Sequence, residues 1–178
     1  ALSWDKIQKD PMMKVVQVKT DEKQSAHIKR DELRNLLDSI KEPWLRDIVS
    51  FVVLTGLRIG EIMNLKWTDY DGGKKEIVVQ ASAEYRVKGG RLRTLPLNAA
   101  VIEILERKTR SGSWIFADKG GKKYTPDYVS KKFKAYIRKL GFAEELRFHS
   151  LRHTFGTYAA EAGIPTHIIK SMMGHSST

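Results

Sequence analysis

The sequence predicts a mostly α-helical domain with one small antiparallel β-sheet, an α+β fold. Apolar residues recur at helical spacing through most of the chain, and β-branched, strand-like segments are confined to the stretch between residues 76 and 97. Proline, glycine and asparagine punctuate the helical stretches at their ends. With 178 residues, 41% of them hydrophobic, the chain is long enough to bury one sizeable core and too apolar for wholesale disorder.

Residues 1–25 are mixed and polar around a short Val15, Val16, Val18 patch, and read as an arm or linker leading into a domain over 26–178. From Asp31 onward Leu33, Leu36, Leu37 and Ile40 fall on one helical face, and Pro43 breaks the chain before a second helix carrying Leu45, Ile48, Val49, Val52 and Val53. Gly56 ends that helix, and Ile59, Ile62, Met63 and Leu65 continue the period through a third, with Arg58 at its first turn. Asp71-Gly72-Gly73 is a turn signal. Glu76–Gln80 and Arg91–Leu97 read as two strands, with Gly89-Gly90 between them and Lys88 near the turn. Asn98 caps a helix from Ala99 to about Arg110, and Thr125-Pro126 opens another that runs to Leu140 and stops at Gly141. A helix beginning at His149 or Ser150 ends near Gly163, and a last one, Thr166 to Met173, is stopped by Gly174.

Lysine and arginine number 32 against 21 acidic residues, a net charge of +11 that attracts polyanions and puts nucleic acid first among partners. There is no cysteine, which excludes disulfides, thiolate metal sites and cysteine nucleophiles and is compatible with a reducing cytoplasm, the expected location. No apolar run approaches the length of a membrane span, and the first ten residues are not a signal peptide.

Arginine is suited to holding a phosphate diester because its planar fork donates two hydrogen bonds and stays charged. Arg58 lies in Thr55-Gly-Leu-Arg-Ile-Gly-Glu61, near a helix start whose free amides also favour an anion, and Glu61 is one turn away. Arg152 lies in His149-Ser-Leu-Arg-His-Thr154, three residues from a histidine able to exchange a proton near neutrality. Taken singly, an Arg–Glu pair one turn apart reads as a solvated ion pair and a single histidine as structural.

The joint pattern changes this reading. Thr55-Gly-Leu-Arg-Ile-Gly-Glu-Ile62, Lys88 eight residues before Pro96, His149-Ser-Leu-Arg-His-Thr-Phe-Gly-Thr157 and Met173-Gly-His-Ser-Ser177 occur in this order, with His149 and His175 26 positions apart. In these four segments the chain, from about Ala26 to its end, resembles the catalytic domain of the tyrosine recombinase (phage integrase) family. The resemblance implies that family's fold and a metal-free, cofactor-free DNA strand cleavage and rejoining. Arg58 and Arg152 would clamp the scissile phosphate, Lys88 would protonate the departing 5′ oxygen, and His149 would assist proton transfer at the nucleophile. His175 would hydrogen-bond a non-bridging oxygen, and Glu61 would support Arg58 from behind. Double-stranded DNA is the implied partner, with self-assembly on paired sites as a tetramer in synapsis.

The family's nucleophile is a tyrosine roughly nine residues beyond the last histidine, two and a half helical turns. All six tyrosines here, Tyr70, Tyr85, Tyr124, Tyr128, Tyr136 and Tyr158, precede His175. No nucleophile is assigned, and the chain reads as a fragment lacking its C-terminal tail, able to bind DNA without cleaving it. The rival is a DNA-binding regulatory module without catalysis.

Further basic residues read two ways. Lys131 and Lys132, in a stripe with Lys134, Arg138 and Lys139, form either a phosphate-facing helix or a solvated face over the apolar Phe133 and Ile137. Arg86, Arg91 and Arg93 either touch backbone phosphates or keep a sheet edge soluble. His149 and His153 have zinc-like spacing, but the glutamate of the metalloprotease signature and a third ligand are missing. Gly120-Gly-Lys-Lys123 lacks the spaced first glycine of a phosphate-binding loop. A metal-dependent nuclease would need clustered carboxylates, and Asp69, Asp71 and Glu76 lie in a turn without a partner set.

Overall fold

A computed structural model of the chain describes residues 26–80 and 92–174. Those residues form α1 (Arg30–Ser39), α2 (Pro43–Thr55), α3 (Ile59–Met63), β1 (Tyr70–Asp71), β2 (Glu76–Val79), β3 (Arg93–Pro96), α4 (Ala99–Glu106), α5 (Pro126–Lys139), α6 (Ser150–Glu161) and α7 (Thr166–Met173). The expected α+β architecture is observed.

The fold is organised around α2. Leu45, Ile48, Val49, Phe51, Val52 and Val53 are all buried, so the helix is apolar on nearly every side and has to be surrounded. α1, α4, α5 and α6 pack around it. Pro43 occupies its first turn, where a missing amide costs nothing, and Gly56 ends it with φ 66°. That glycine is doubly required: a Cβ at position 56 would lie 2.3 Å from the Phe155 ring on α6. The close approach of α6 to the end of α2 is what brings Arg152 beside the loop carrying Arg58.

The other boundaries follow local chemistry. Asn98 Oδ1 accepts from the Val101 amide at 3.0 Å and Thr125 Oγ1 from the Tyr128 amide at 3.3 Å, each capping its helix. α5 buries Val129, Phe133 and Ile137 and turns its lysines outward. The start of the described chain is fastened to α6, where the Ile28 amide donates to Thr154 Oγ1 and Tyr158 Oη donates to the Ile28 carbonyl, both at 3.0 Å.

Three extents differ from the sequence reading. α4 stops at Glu106 rather than near Arg110, because Arg107 and Lys108 reach back to the buried Asp47 on α2 and draw the chain out of the helix. α3 is a single turn that ends before Leu65, with Asn64 Nδ2 donating to the Gly60 carbonyl at 2.8 Å. Among the described residues the sheet has three strands in the order β1-β2-β3, all antiparallel, rather than two. β1 pairs Tyr70 with Ile77 and Asp71 with Glu76 ahead of the expected glycine turn. β3 begins at Arg93, and Arg91 lies outside the described residues. Its register sets Leu95 opposite Ile77 and Arg93 opposite Val79. Arg93 therefore shares a sheet face with the buried Leu95, while the neighbouring Leu92 is 64% exposed.

Candidate active site

Arg58 is the N-cap of α3, with extended backbone that turns its side chain back over the helix start. Its amide donates to Glu61 Oε2 at 2.8 Å and its Nη1 to Glu61 Oε1 at 3.2 Å, so the short helix fixes the arginine at both ends. Arg152, on the first turn of α6, is 1% exposed. Its Nη1 donates to the Gly56 carbonyl at 2.5 Å and its Nη2 to the Met173 carbonyl. Arg58 Nη1 donates to that same Met173 carbonyl at 3.4 Å, and Arg58 Nη2 to the Gly174 carbonyl at 3.2 Å. Two guanidiniums separated by almost a hundred residues in sequence thus converge on one oxygen.

Arg58, Arg152 and His149 line one cavity of about 500 Å³, bounded on one side by α5. His149 sits just before α6, and its ring meets His153 edge-to-face with centroids 5.0 Å apart. Burial, and then the positive charge of Arg152, push the His153 imidazole below its ordinary range and favour the neutral ring. The two histidines are in ring contact, and among the described residues no group of three or more candidate ligands could hold a metal ion.

Glu61 is buried without being neutralised. Burial alone would raise its carboxyl, but hydrogen bonds from Arg93 and from the Arg58 amide, with the charges of both guanidiniums, outweigh this and hold it below the ordinary range. Arg93 supplies a bidentate pair, Nη1 to Oε1 at 3.1 Å and Nη2 to Oε2 at 2.8 Å.

The structure brings together Arg58, Glu61, His149 and Arg152 of the residues singled out from the sequence. Lys88, Arg86, Arg91 and His175 lie outside the described residues. Arg93 corrects the reading of a solubilising edge residue: it is 13% exposed, with its guanidinium on Glu61 and the Met172 carbonyl. Lys131 lines the cavity mouth and pairs with Asp127 one turn back, both largely exposed. Lys132 reaches Glu42 ahead of α2 and does not line the cavity. Lys134 and Arg138, from the stripe read as either phosphate-facing or solvated, also line it, and so does Arg147, to which sequence reasoning gave no site role. Lys134 and Arg138 both pair with Glu144, and nothing in their spacing alone marks them as cavity residues.

A buried arginine and a half-buried one beside a histidine, in a strongly basic chain, have the charge and hydrogen-bond donors to bind an anion. The sequence profile of the phage integrase family matches residues 26–178. This chain belongs to that family. Tyrosine recombinase XerA of Pyrococcus furiosus is 33% identical over 156 residues, covering 83% of this chain and 52% of its own length. The integrase of Salmonella phage P22 is 28% identical over 186 residues, covering 98% of this chain and 46% of its own. The chain spans about half the length of these curated relatives. The Tn1549 transposon integrase, solved in complex with transposon right end DNA, has the same fold with a TM-score of 0.80 at 20% identity, covering 99% of this chain and 67% of that one. A lambda integrase tetramer bound to a Holliday junction matches with a TM-score of 0.71 at 21% identity, covering 91% and 50%.

Proposed function

We propose that residues 26–178 are the catalytic domain of a site-specific DNA recombinase of the tyrosine type, with residues 1–25 as an arm, acting on double-stranded DNA in integration or excision of a phage or mobile element. The observation that carries this reading is the convergence of Arg58 and Arg152 on one carbonyl oxygen in a cavity shared with His149. A backbone carbonyl is a weak ligand for two guanidinium forks, and a phosphate with two non-bridging oxygens is a stronger one.

In the reaction, a tyrosine hydroxyl attacks the scissile phosphorus. The P–O bond to the 5′ oxygen breaks, leaving a 3′-phosphotyrosine, and attack by a 5′ hydroxyl of the partner strand reverses the step and conserves the bond energy. The nucleophile has no counterpart in these 178 residues and would come from chain following His175. Arg58 and Arg152 stabilise charge on the pentacoordinate transition state, and Glu61, Gly56 and the end of α7 hold them near one another before the phosphate arrives. His149 assists the proton at the nucleophile, and Lys88 and His175 take the leaving-group and non-bridging-oxygen roles that the family resemblance assigns. The scheme calls for no metal, since the guanidiniums supply the positive charge. Cytoplasmic location and assembly on paired sites as a tetramer belong to the same proposal. Among the described residues no helix is long and apolar enough to cross a membrane, and the assembly is supported by the tetrameric lambda relative.

The test uses a chain extended through the tyrosine-bearing segment and a suicide duplex that traps the covalent adduct. Wild type forms adduct. Arg152→Ala lowers its rate by at least about 10²–10³-fold while retaining most DNA binding, because one phosphate contact is a small part of a many-contact interface. Adduct from Arg152→Ala at the wild-type rate would remove the clamp from the mechanism. A 5′-bridging phosphorothiolate, whose leaving group needs no proton, should rescue Lys88→Ala.

A further inference from the structure

The recombinase reading makes no use of Arg93, which is the most constrained cation near the cavity apart from Arg152. It stands at the start of β3, on the inward face of the sheet. With both forks of its guanidinium on Glu61, it completes a carboxylate that receives four donors: Arg58 N and Arg93 Nη2 on Oε2, Arg58 Nη1 and Arg93 Nη1 on Oε1. Its remaining donor, Nε, reaches the Met172 carbonyl at 3.2 Å. The carbonyls of Met172, Met173 and Gly174, which a helix end leaves without intrahelical partners, are thereby taken up by Arg93, by Arg58 with Arg152, and by Arg58. Gly174 is shaped for this. It has φ 64°, and a Cβ there would lie 2.7 Å from Arg93 Nη1.

We propose that Arg93 is a positioning residue for the phosphate clamp, acting through Glu61 on the Arg58 guanidinium and through the Met172 carbonyl on the end of α7. This inference rests on the recombinase reading above. A carboxylate shared by two arginines has one orientation that satisfies both. Remove Arg93 and two lone-pair positions on Glu61 fall open, Arg58 is free to rotate into them, and its fork leaves the cavity. The Arg58 amide continues to hold Glu61, so the helix start survives while the aim of the guanidinium is lost. Arg93 also links the strand that follows Lys88 in sequence to the helix end that precedes His175, so one side chain sets the register of three segments of the site.

The test uses the extended chain with the suicide duplex, comparing Arg93→Gln, Arg93→Lys, Glu61→Gln and the double variant Arg93→Gln/Glu61→Gln. The single-turnover adduct rate is read at saturating DNA, and DNA affinity is read as a function of salt. Misplacement by an ångström costs about 10²-fold in rate, so Arg93→Gln should slow adduct formation by about that factor. Its slope of log affinity against log salt should stay that of wild type, because no phosphate contact is lost. The double variant should be no slower than the slower single variant, since both substitutions break the same support. Arg93→Lys keeps the charge but not the fork, and should recover only part of the rate; it also serves if Arg93→Gln fails to fold. A salt slope reduced by about 0.9 with an unchanged saturating rate would make Arg93 a phosphate contact and overturn the proposal. Multiplying effects in the double variant would overturn its route through Glu61. If wild type and every variant alike form no adduct, the recombinase reading itself falls and the proposal with it. If wild type forms adduct, Arg152→Ala does not, and Arg93→Gln matches wild type, the proposal alone fails.

Discussion

Two basic regions face the same cavity and are built in opposite ways. The clamp arginines and the Arg93 behind them are enclosed: Arg152 is buried, Arg58 and Arg93 are mostly so, and each has hydrogen-bond donors on a carboxylate or on main-chain carbonyls. The basic face of α5 is more open: Lys131 on Asp127 and Arg138 on Glu144 have side chains largely in water, while Lys134 between them is tucked in at 22% exposure. Enclosure fixes direction, because a buried fork with several partners has one orientation. Exposure supplies field, because a lysine on a flexible stem in water contributes charge with little geometry. The clamp is suited to recognising a single phosphate and the α5 face to attracting a polyanion, and net charge alone would not have told them apart.

The sharpest way to break that contrast is at Glu61, whose side chain is fully buried between two arginines. Glu61→Ala strands two mostly buried guanidiniums, and removing one partner of a buried pair costs up to about 3–5 kcal/mol. Denaturant unfolding of the 178-residue chain measures this loss directly. A cost below about 1 kcal/mol would mean that the pair behaves like a surface bridge and that the enclosure has no energetic consequence.

The same carboxylate gives a pH dependence of intermediate size. Its ionised form is favoured in the folded chain, with a protonation range below the ordinary value of 4.5. The unfolded chain therefore binds the proton more readily. The stabilisation is fully present above about pH 4.5 and is lost as pH falls through the lower, folded-state range. Urea midpoints of wild type and Glu61→Gln should differ widely at pH 7 and draw together as pH is lowered past 4. A gap that stays constant would show that the ionised form is not what stabilises the site.

Much of this arrangement was legible in the sequence, and what was missed had a physical reason. Gly56, Gly141 and Gly174 all stop helices with positive φ, and Asn98 and Thr125 both cap, because those signals depend on local chemistry alone. Arg58, Glu61, His149 and Arg152 were legible through motif spacing, whereas the convergence of Arg58, His149 and Arg152 on a common cavity, with Glu61 behind Arg58, is a tertiary fact. β1 escaped because a two-residue strand has no periodicity to detect. For Arg93, read as a backbone-phosphate contact or a solubilising edge residue, a signal of its inward place was present: residues 93, 95 and 97 share strand parity, and Leu95 and Leu97 are buried. The habit of placing arginine outside and leucine inside overrode the alternation, which here runs the other way, with Leu92 exposed. The carbonyls of Met172, Met173 and Gly174 were invisible for a different reason, since every residue has a carbonyl and only the fold selects which ones an arginine meets.

The smallest expected effect completes the comparison. Lys131→Ala removes an exposed i,i+4 pair with Asp127 that solvent screens, so the unfolding midpoint should barely move. If the α5 face meets DNA backbone, the substitution should weaken binding about equally on every sequence and lower the salt slope by about 0.9, the release of one counterion. At saturating DNA the adduct rate of the extended chain should be unchanged, because Lys131 aims nothing at the scissile phosphate. A slope that does not change would place Lys131 off the DNA track and leave its ion pair with Asp127 as the whole of its role. A lowered saturating rate with an unchanged slope would show that an exposed lysine helps hold the clamp, and the division between aim and field would fail at this position.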